Sequence, residues 1–224
     1  MTSNPSPQYV ERVARVFNDD GTGKRGNLQA VIRAILTDTE ARSTTTAATA
    51  GKLKEPLLRI TQFYRAYDAK AANGQYRLGN AVNTFGEGPL QSPSVFNFFS
   101  PFYAPPGEIA DQNLVAPEMQ IATEYLNTTT TNFLYQQVFA RNSSSTGLAE
   151  NAIAIDINSE VAIAGDSEAL VNRIADKLLA GQVSTTLKTE AKAAVDRIPA
   201  TNPAQRVAEA LYLIVTSPEY AVQR

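Results

Sequence analysis

The chain has 224 residues, of which 43% are hydrophobic and 19% charged, a net charge of −2, and no Cys, His or Trp. The lack of Cys and His excludes disulfides, thiolate chemistry, Ser/His/Asp nucleophile systems, and zinc or haem ligation by these residues. The balanced charge argues against nucleic acid as a partner. No apolar stretch approaches the roughly 20 residues of a spanning helix, so we expect a chain that does not cross a membrane. No motif calls for a cofactor.

The N-terminal part of the chain predicts a helical hairpin and a third helix. Ser6 followed by Pro7 is typical of a helix start, with a hydroxyl at the N-cap and proline at the first helical position. Apolar residues at helical spacing follow. A break rich in Asp and Gly at 18–23 separates this helix from a second one over 28–36. The third helix begins at Pro56.

Residues 73–115 form a segment rich in proline, glycine and aromatic residues that follows no regular period. Loops of this length within a domain are usually functional or packed as structures of their own. We interpret its aromatic cluster mainly as a plug in the core, because five rings within eight positions cannot all be solvated. The alternative is a sugar platform or a partner-binding surface, since aromatic faces give large contact area at low entropy cost. The interaction candidates are Phe96, Phe98, Phe99, Phe102 and Tyr103.

Residues 116–224 predict a helical bundle. A fourth helix starts at Pro117, and the four threonines at 128–131 predict an interruption of it, as a kink or a locally strained turn, because such residues form helices poorly. Alternating isoleucines at 153–157 indicate a short extended piece. Three closely linked helices then follow. Asp166 caps the first, Ser184 precedes the second, and Asn202-Pro203 begins the third.

Together these patterns predict an all-α fold with bundle-like packing of about six to seven helices and a long irregular segment in the middle. We expect three segments, 1–72, 73–115 and 116–224, that form one structural domain.

One pattern of acidic residues is compatible with general acid catalysis and another with calcium binding, and each has a simpler structural interpretation. Glu118, with Glu124 nearby, is a candidate general acid, but six residues on a helix place the two on different faces. Asn18 and Asp20 match the first and third positions of a calcium loop. The twelfth position is then Gln29 rather than Glu, so a plain Asp-Gly turn without metal is favoured.

Six sequence phrases occur in order from residue 4 to the last residue. They are Asn4-Pro-Ser-Pro-Gln-Tyr-Val, Arg25-Gly-Asn-Leu-Gln-Ala-Val-Ile-Arg-Ala-Ile-Leu, Lys52-Leu-Lys-Glu-Pro-Leu-Leu-Arg, Ser92-Pro-Ser-Val-Phe-Asn-Phe-Phe, Val115-Ala-Pro-Glu-Met-Gln-Ile and Ser217-Pro-Glu-Tyr-Ala-Val-Gln-Arg. Together they resemble the C-terminal part of the bacterial family catalogued as domain of unknown function 1800. The resemblance implies an exported, extracytoplasmic protein, often encoded beside a second secreted family, domain of unknown function 1501. It transfers no catalytic residue.

We therefore predict a non-catalytic structural or protein-interaction module. A helical piece of a larger domain should expose an apolar face, and such faces mark interfaces. The predicted partners are the N-terminal half of the family domain, a second copy, or a companion secreted protein. The alternative is a carboxylate-based hydrolase with Glu118 as the acid, or a carbohydrate-binding module, at the cell surface.

Overall fold

The structure, a computed structural model, describes residues 3–43 and 51–223. These ranges are mostly helical, which confirms the predicted all-α fold. They divide into two compact units. Unit 1 comprises residues 3–43, 51–52 and 99–120, and unit 2 comprises residues 53–98 and 121–223.

The described ranges contain eleven α-helices, one 3-10 helix and two short strands. In chain order the helices are α1 (Pro7–Asn18), α2 (Leu28–Thr37), α3 (Pro56–Ala66), α4 (Ala81–Phe85), α5 (Glu108–Asp111), α6 (Glu124–Ala140), α7 (Asn158–Val161), α8 (Ser167–Leu179), α9 (Thr185–Asp196), α10 (Pro203–Val215) and α11 (Pro218–Ala221). The strands β1 (Lys52–Leu53) and β2 (Val222–Gln223) form a two-stranded sheet. Seven helices have ten or more residues, matching the predicted six to seven. The other four span four or five residues, too few to show a helical period.

In unit 1, α1 and α2 pack against each other as the predicted hairpin. The Ser6 side chain caps α1 by accepting a hydrogen bond from the Tyr9 backbone N–H. The Asn27 side chain caps α2 in the same way, from the Ala30 N–H. Each cap satisfies a donor that the first turn of a helix leaves unpaired.

The core of unit 2 is built around α10, which packs against α6, α7, α8 and α9. Leu211 and Ile214 of α10 are fully buried. The predicted capping residue Asp166 accepts hydrogen bonds from two N–H groups at the start of α8, and Ser184 caps α9. The residues that the sequence predicts at the starts of α8 and α9 therefore do cap helices that pack in this core.

The predicted extended piece at 153–157 is present, and its isoleucines are buried. It pairs through single bridges rather than through a regular strand. Ala154 bridges antiparallel to Lys70, and Ile155 bridges parallel to Asn142. These bridges connect the loop after α3 and the end of α6 to the core.

The threonines 128–131 do not interrupt the helix as predicted, because α6 runs as one helix through them. Hydroxyl groups among them donate to backbone carbonyls. Thr128 Oγ1 donates to Glu124 O at 2.8 Å, and Thr129 Oγ1 donates to Thr84 O at 2.7 Å. The second bond anchors α6 to α4.

The predicted start of this helix at Pro117 also needs correction. Pro117–Ile121 is a separate 3-10 helix. The α-helix begins at Glu124, after the Thr123 side chain accepts from the Leu126 N–H. A hydroxyl cap decides the helix start here, rather than the proline. Among the described helices, none combines the length and hydropathy needed to cross a membrane.

Candidate functional site

The α1–α2 hairpin exposes apolar side chains along both helices. In α1 the spacing is i, i+4, i+7, and in α2 it is i, i+4, i+8, so each set follows one side of its helix. We call these two sets the hairpin stripes. They consist of Val10, Ala14 and Phe17 in α1, and of Leu28, Ile32 and Leu36 in α2. Tyr9 is the one buried residue of α1, and α2 buries none.

Polar contacts hold the hairpin together without burying the stripes. The Tyr9 hydroxyl donates to the Ile35 carbonyl at 2.8 Å. The Arg12 guanidinium donates to both carboxylate oxygens of Asp38 at 2.7 Å, a two-pronged contact that holds the pKa of Asp38 below its ordinary value. Hydrogen bonds within the hairpin, and not burial of the stripes, therefore hold α1 and α2 together.

The predicted aromatic cluster is not a core plug. Phe96 is 60% exposed and Phe102 is 83% exposed, so the prediction of burial is wrong for these two rings. The other three candidates, Phe98, Phe99 and Tyr103, are half-buried. Phe96 and Phe98 belong to unit 2, and the remaining three belong to unit 1.

Each of the two exposed rings follows a local serine turn. The Phe96 N–H donates to Ser94 Oγ, and the Phe102 N–H donates to Ser100 Oγ. Such side-chain bonds give the backbone partners within two residues, so the segment folds tightly without a core around it.

Glu118, the candidate acid, is almost fully buried in the 3-10 helix. Its Oε1 lies 2.5 Å from Nζ of Lys52, which is half-buried. An ion pair of this kind compensates a buried charge. The arrangement supports a structural role for Glu118, while Glu124 lies exposed in the first turn of α6.

The weak calcium candidate is a loop closed by its own hydrogen bonds. Asp20 accepts from the backbone and hydroxyl of Thr22 and from the Asn27 side chain. These contacts, led by the Thr22 hydroxyl, lower the pKa of Asp20 to about 2. Asn18 is the last residue of α1. In residues 3–43 and 51–223, no group of three or more acidic side chains that could hold a metal ion is found.

Sequence analysis missed a groove along α6 that contains Gln137 and Arg141. Gln137 is fully buried, and it follows Thr130 and Leu134 by seven and three residues on the same face of the helix. Helical spacing therefore holds a signal, a polar residue on the core face. The prediction of a broken helix concealed that signal.

With the fold and these surfaces described, comparison with known families assigns the chain. It belongs to the family described as protein of unknown function (DUF1800), whose family model matches residues 1–222. The match covers essentially the whole chain and does not single out the C-terminal part that the resemblance suggested. Neither the curated proteins nor the solved structures gave a match.

Proposed function

We propose that the chain is a non-catalytic protein-interaction module that pairs with a second copy of itself through the hairpin stripes. A single observation carries the proposal: two packed helices bury only Tyr9 and expose an apolar stripe each. Exposed rows of large apolar side chains mark candidate interaction sites. Two such hairpins can enclose an apolar core between four helices, the arrangement of a four-helix bundle.

Charge favours a second copy as the occupant. In a two-fold dimer each patch meets the same patch of the other copy, so a charged patch would repel itself. The stripes contain no charged residue, and Arg33 is the single charged residue of α2. On α1, Glu11 and Arg15 neutralise each other in an ion pair of 2.6 Å. Two hairpins therefore meet with little like-charge repulsion.

The size of the stripes sets the expected strength. A standard interface uses about 20 to 30 residues a side and buries about 800 Å² per partner. Six apolar side chains form the centre of a smaller contact. We expect a reversible dimer with a dissociation constant in the micromolar range.

Sedimentation velocity over a concentration series tests the proposal. Wild-type protein should shift from monomer to dimer as its concentration rises. Ile32→Asn, at the middle of the α2 stripe, should weaken the dimer at least tenfold, because it puts a polar amide into the apolar contact. Leu58→Asn on α3 is the matched control, since Leu58 is 54% exposed and Ile32 is 56% exposed. It should leave the dimer unchanged.

Two results contradict self-association through the stripes. One is a monomer at every concentration. The other is equal weakening by Ile32→Asn and Leu58→Asn, which would place the contact elsewhere.

The exposed rings of Phe96 and Phe102 support carbohydrate binding as the alternative function. A hydrolase has less support, because Glu118 is paired with Lys52. An extracytoplasmic location, and a partner in the family's other half or in a companion secreted protein, stay predictions drawn from the resemblance.

A further inference from the structure

A groove in unit 2 runs along α6 and reaches Thr84 of α4. Its volume is about 330 Å³. Enclosed ligand pockets begin near about 300 Å³, and this groove is open to solvent, so its occupant is no larger than one or two amino-acid residues. Asn132, Phe133 and Gln137 of α6 line it together with Arg141, which follows the helix, and no carboxylate does.

Gln137 lines the groove with a side-chain amide whose hydrogen-bonding capacity is unused in the described structure. The residue is fully buried, and in the described structure neither its Nε2 nor its Oε1 has a hydrogen-bond partner. Buried polar groups in native proteins are paired in roughly 90% of cases or more. The amide needs an acceptor and a donor at the same time. A peptide-like amide supplies both.

Arg141 adds a positive charge to the same groove. It is exposed and stands at the C-terminal cap of α6, one turn after Gln137. No carboxylate in residues 3–43 and 51–223 forms an ion pair with it. The groove therefore offers a free guanidinium to an anionic group.

Tyr64 of α3 supports this placement. Its buried hydroxyl has no partner in the described structure, and its ring lies 6.5 Å from that of Phe133 between centroids. Burial raises the pKa of Tyr64, and the nearby charge of Arg141 opposes that rise. This unpaired hydroxyl therefore belongs to an aromatic neighbour of Phe133, which lines the groove.

We propose that this groove binds the C-terminal residue of a peptide, with its carboxylate on Arg141, its amide on Gln137 and its side chain against Phe133. Four residues along a helix rise about 6 Å. The amide nitrogen and the carboxylate carbon of a terminal residue are joined through one Cα and lie about 2.5 Å apart. The long arginine side chain covers the difference. This site is independent of the hairpin stripes.

A small inorganic anion fits the groove less well. An unprotonated anion such as sulfate would pair with Arg141 but would leave the acceptor Oε1 of Gln137 without a donor. An amide N–H next to a carboxylate satisfies both residues. The same chemistry is present in an N-acyl amino acid, which makes a convenient probe.

The test is NMR titration of ¹⁵N-labelled full-length protein with N-acetyl-leucine at millimolar concentrations. The side-chain NH₂ signals of Gln137 and the backbone signals of α6 should shift. N-acetyl-leucinamide, which lacks the carboxylate, and acetate, which lacks the amide, should each bind at least tenfold more weakly.

Three variants assign the effect to the groove. Arg141→Gln should weaken N-acetyl-leucine at least tenfold. Arg197→Gln is the matched control, because Arg197 is also an exposed helix-capping arginine, at the end of α9, and it should change nothing. Gln137→Leu should abolish the probe's binding and raise the melting temperature, since it removes an unpaired buried amide.

Several results would overturn the proposal. They are the absence of shifts at Gln137, equal binding of N-acetyl-leucinamide or of phosphate, and equal effects of Arg141→Gln and Arg197→Gln. Because Arg141 is exposed, its variant should fold, so these outcomes can be read even if the Gln137 variant does not.

Discussion

The buried carboxyl group of Glu87 shows how one residue can set a pH response. It accepts the Leu57 N–H at 2.6 Å, at the first turn of α3. Burial first, and then a hydrogen bond with Glu55, raise the pKa of Glu87 from 4.5 to about 7. Between these pH values the folded chain keeps a proton that the unfolded chain loses. This group therefore stabilises the fold most below pH 4.5, and its contribution falls as the pH rises to 7.

Glu87→Gln should separate this contribution from those of the other carboxylates. A glutamine keeps the acceptor for Leu57 and a donor for Glu55 at every pH. At pH 4.5 the variant should have about the same free energy of unfolding as the wild type, and at pH 8 it should be more stable by roughly 2 kcal/mol. Urea denaturation at the two pH values measures the difference. A gap that does not change with pH would show that Glu87 is not the titrating group.

The pKa of Glu160 is shifted in the opposite direction, although Glu160 is also a buried glutamate. It is fully buried, but its carboxylate lies 2.9 Å from Lys177 Nζ and 3.3 Å from Arg173 Nε. Burial alone would raise its pKa, yet these contacts and the Ser159 hydroxyl lower it. Neighbouring charges, rather than burial alone, decide the charge state of each buried acid.

At the scale of elements, α10 carries the core of unit 2. Leu211→Ala should lower the free energy of unfolding by about 2 to 5 kcal/mol, because it leaves a cavity where a fully buried side chain packs. Leu58→Ala removes the same atoms from an exposed position on α3 and should change it by less than about 0.5 kcal/mol. Chemical denaturation of both variants gives the comparison. Similar losses for the two would mean that α10 is not the central element.

The sequence predicted those elements whose ends carry strong local signals. Ser6, Asp166 and Ser184 cap helices as expected. Their side chains accept hydrogen bonds from N–H groups two or three residues later in the chain, so capping does not depend on tertiary packing. The course of α6 was not predictable from propensity. The contact of Thr129 with Thr84, 45 residues earlier in the chain, is a tertiary contact that local rules do not contain.

At the scale of the whole molecule, the candidate sites were only partly predictable. The aromatic residues at 96–103 were interpreted mainly as a core plug, and the exposure of Phe96 and Phe102 follows from no period in the sequence. The hairpin stripes followed the predicted helical spacing, yet spacing cannot tell a buried face from an exposed one. The division into segments 1–72, 73–115 and 116–224 stays a prediction. The two compact units follow other boundaries because residues 99–120 group with the N-terminal hairpin.

The most direct test of pairing through the hairpin is cross-linking at one introduced cysteine, since the chain has none of its own. Gln29→Cys lies at an exposed position beside the α2 stripe, and Lys188→Cys also occupies an exposed position, on α9. With a short bis-maleimide, Gln29→Cys should give covalent dimers at micromolar concentration, and adding Ile32→Asn should remove them. Lys188→Cys should stay monomeric. If Gln29→Cys formed no more dimer than Lys188→Cys, the hairpin would not be the contact between copies.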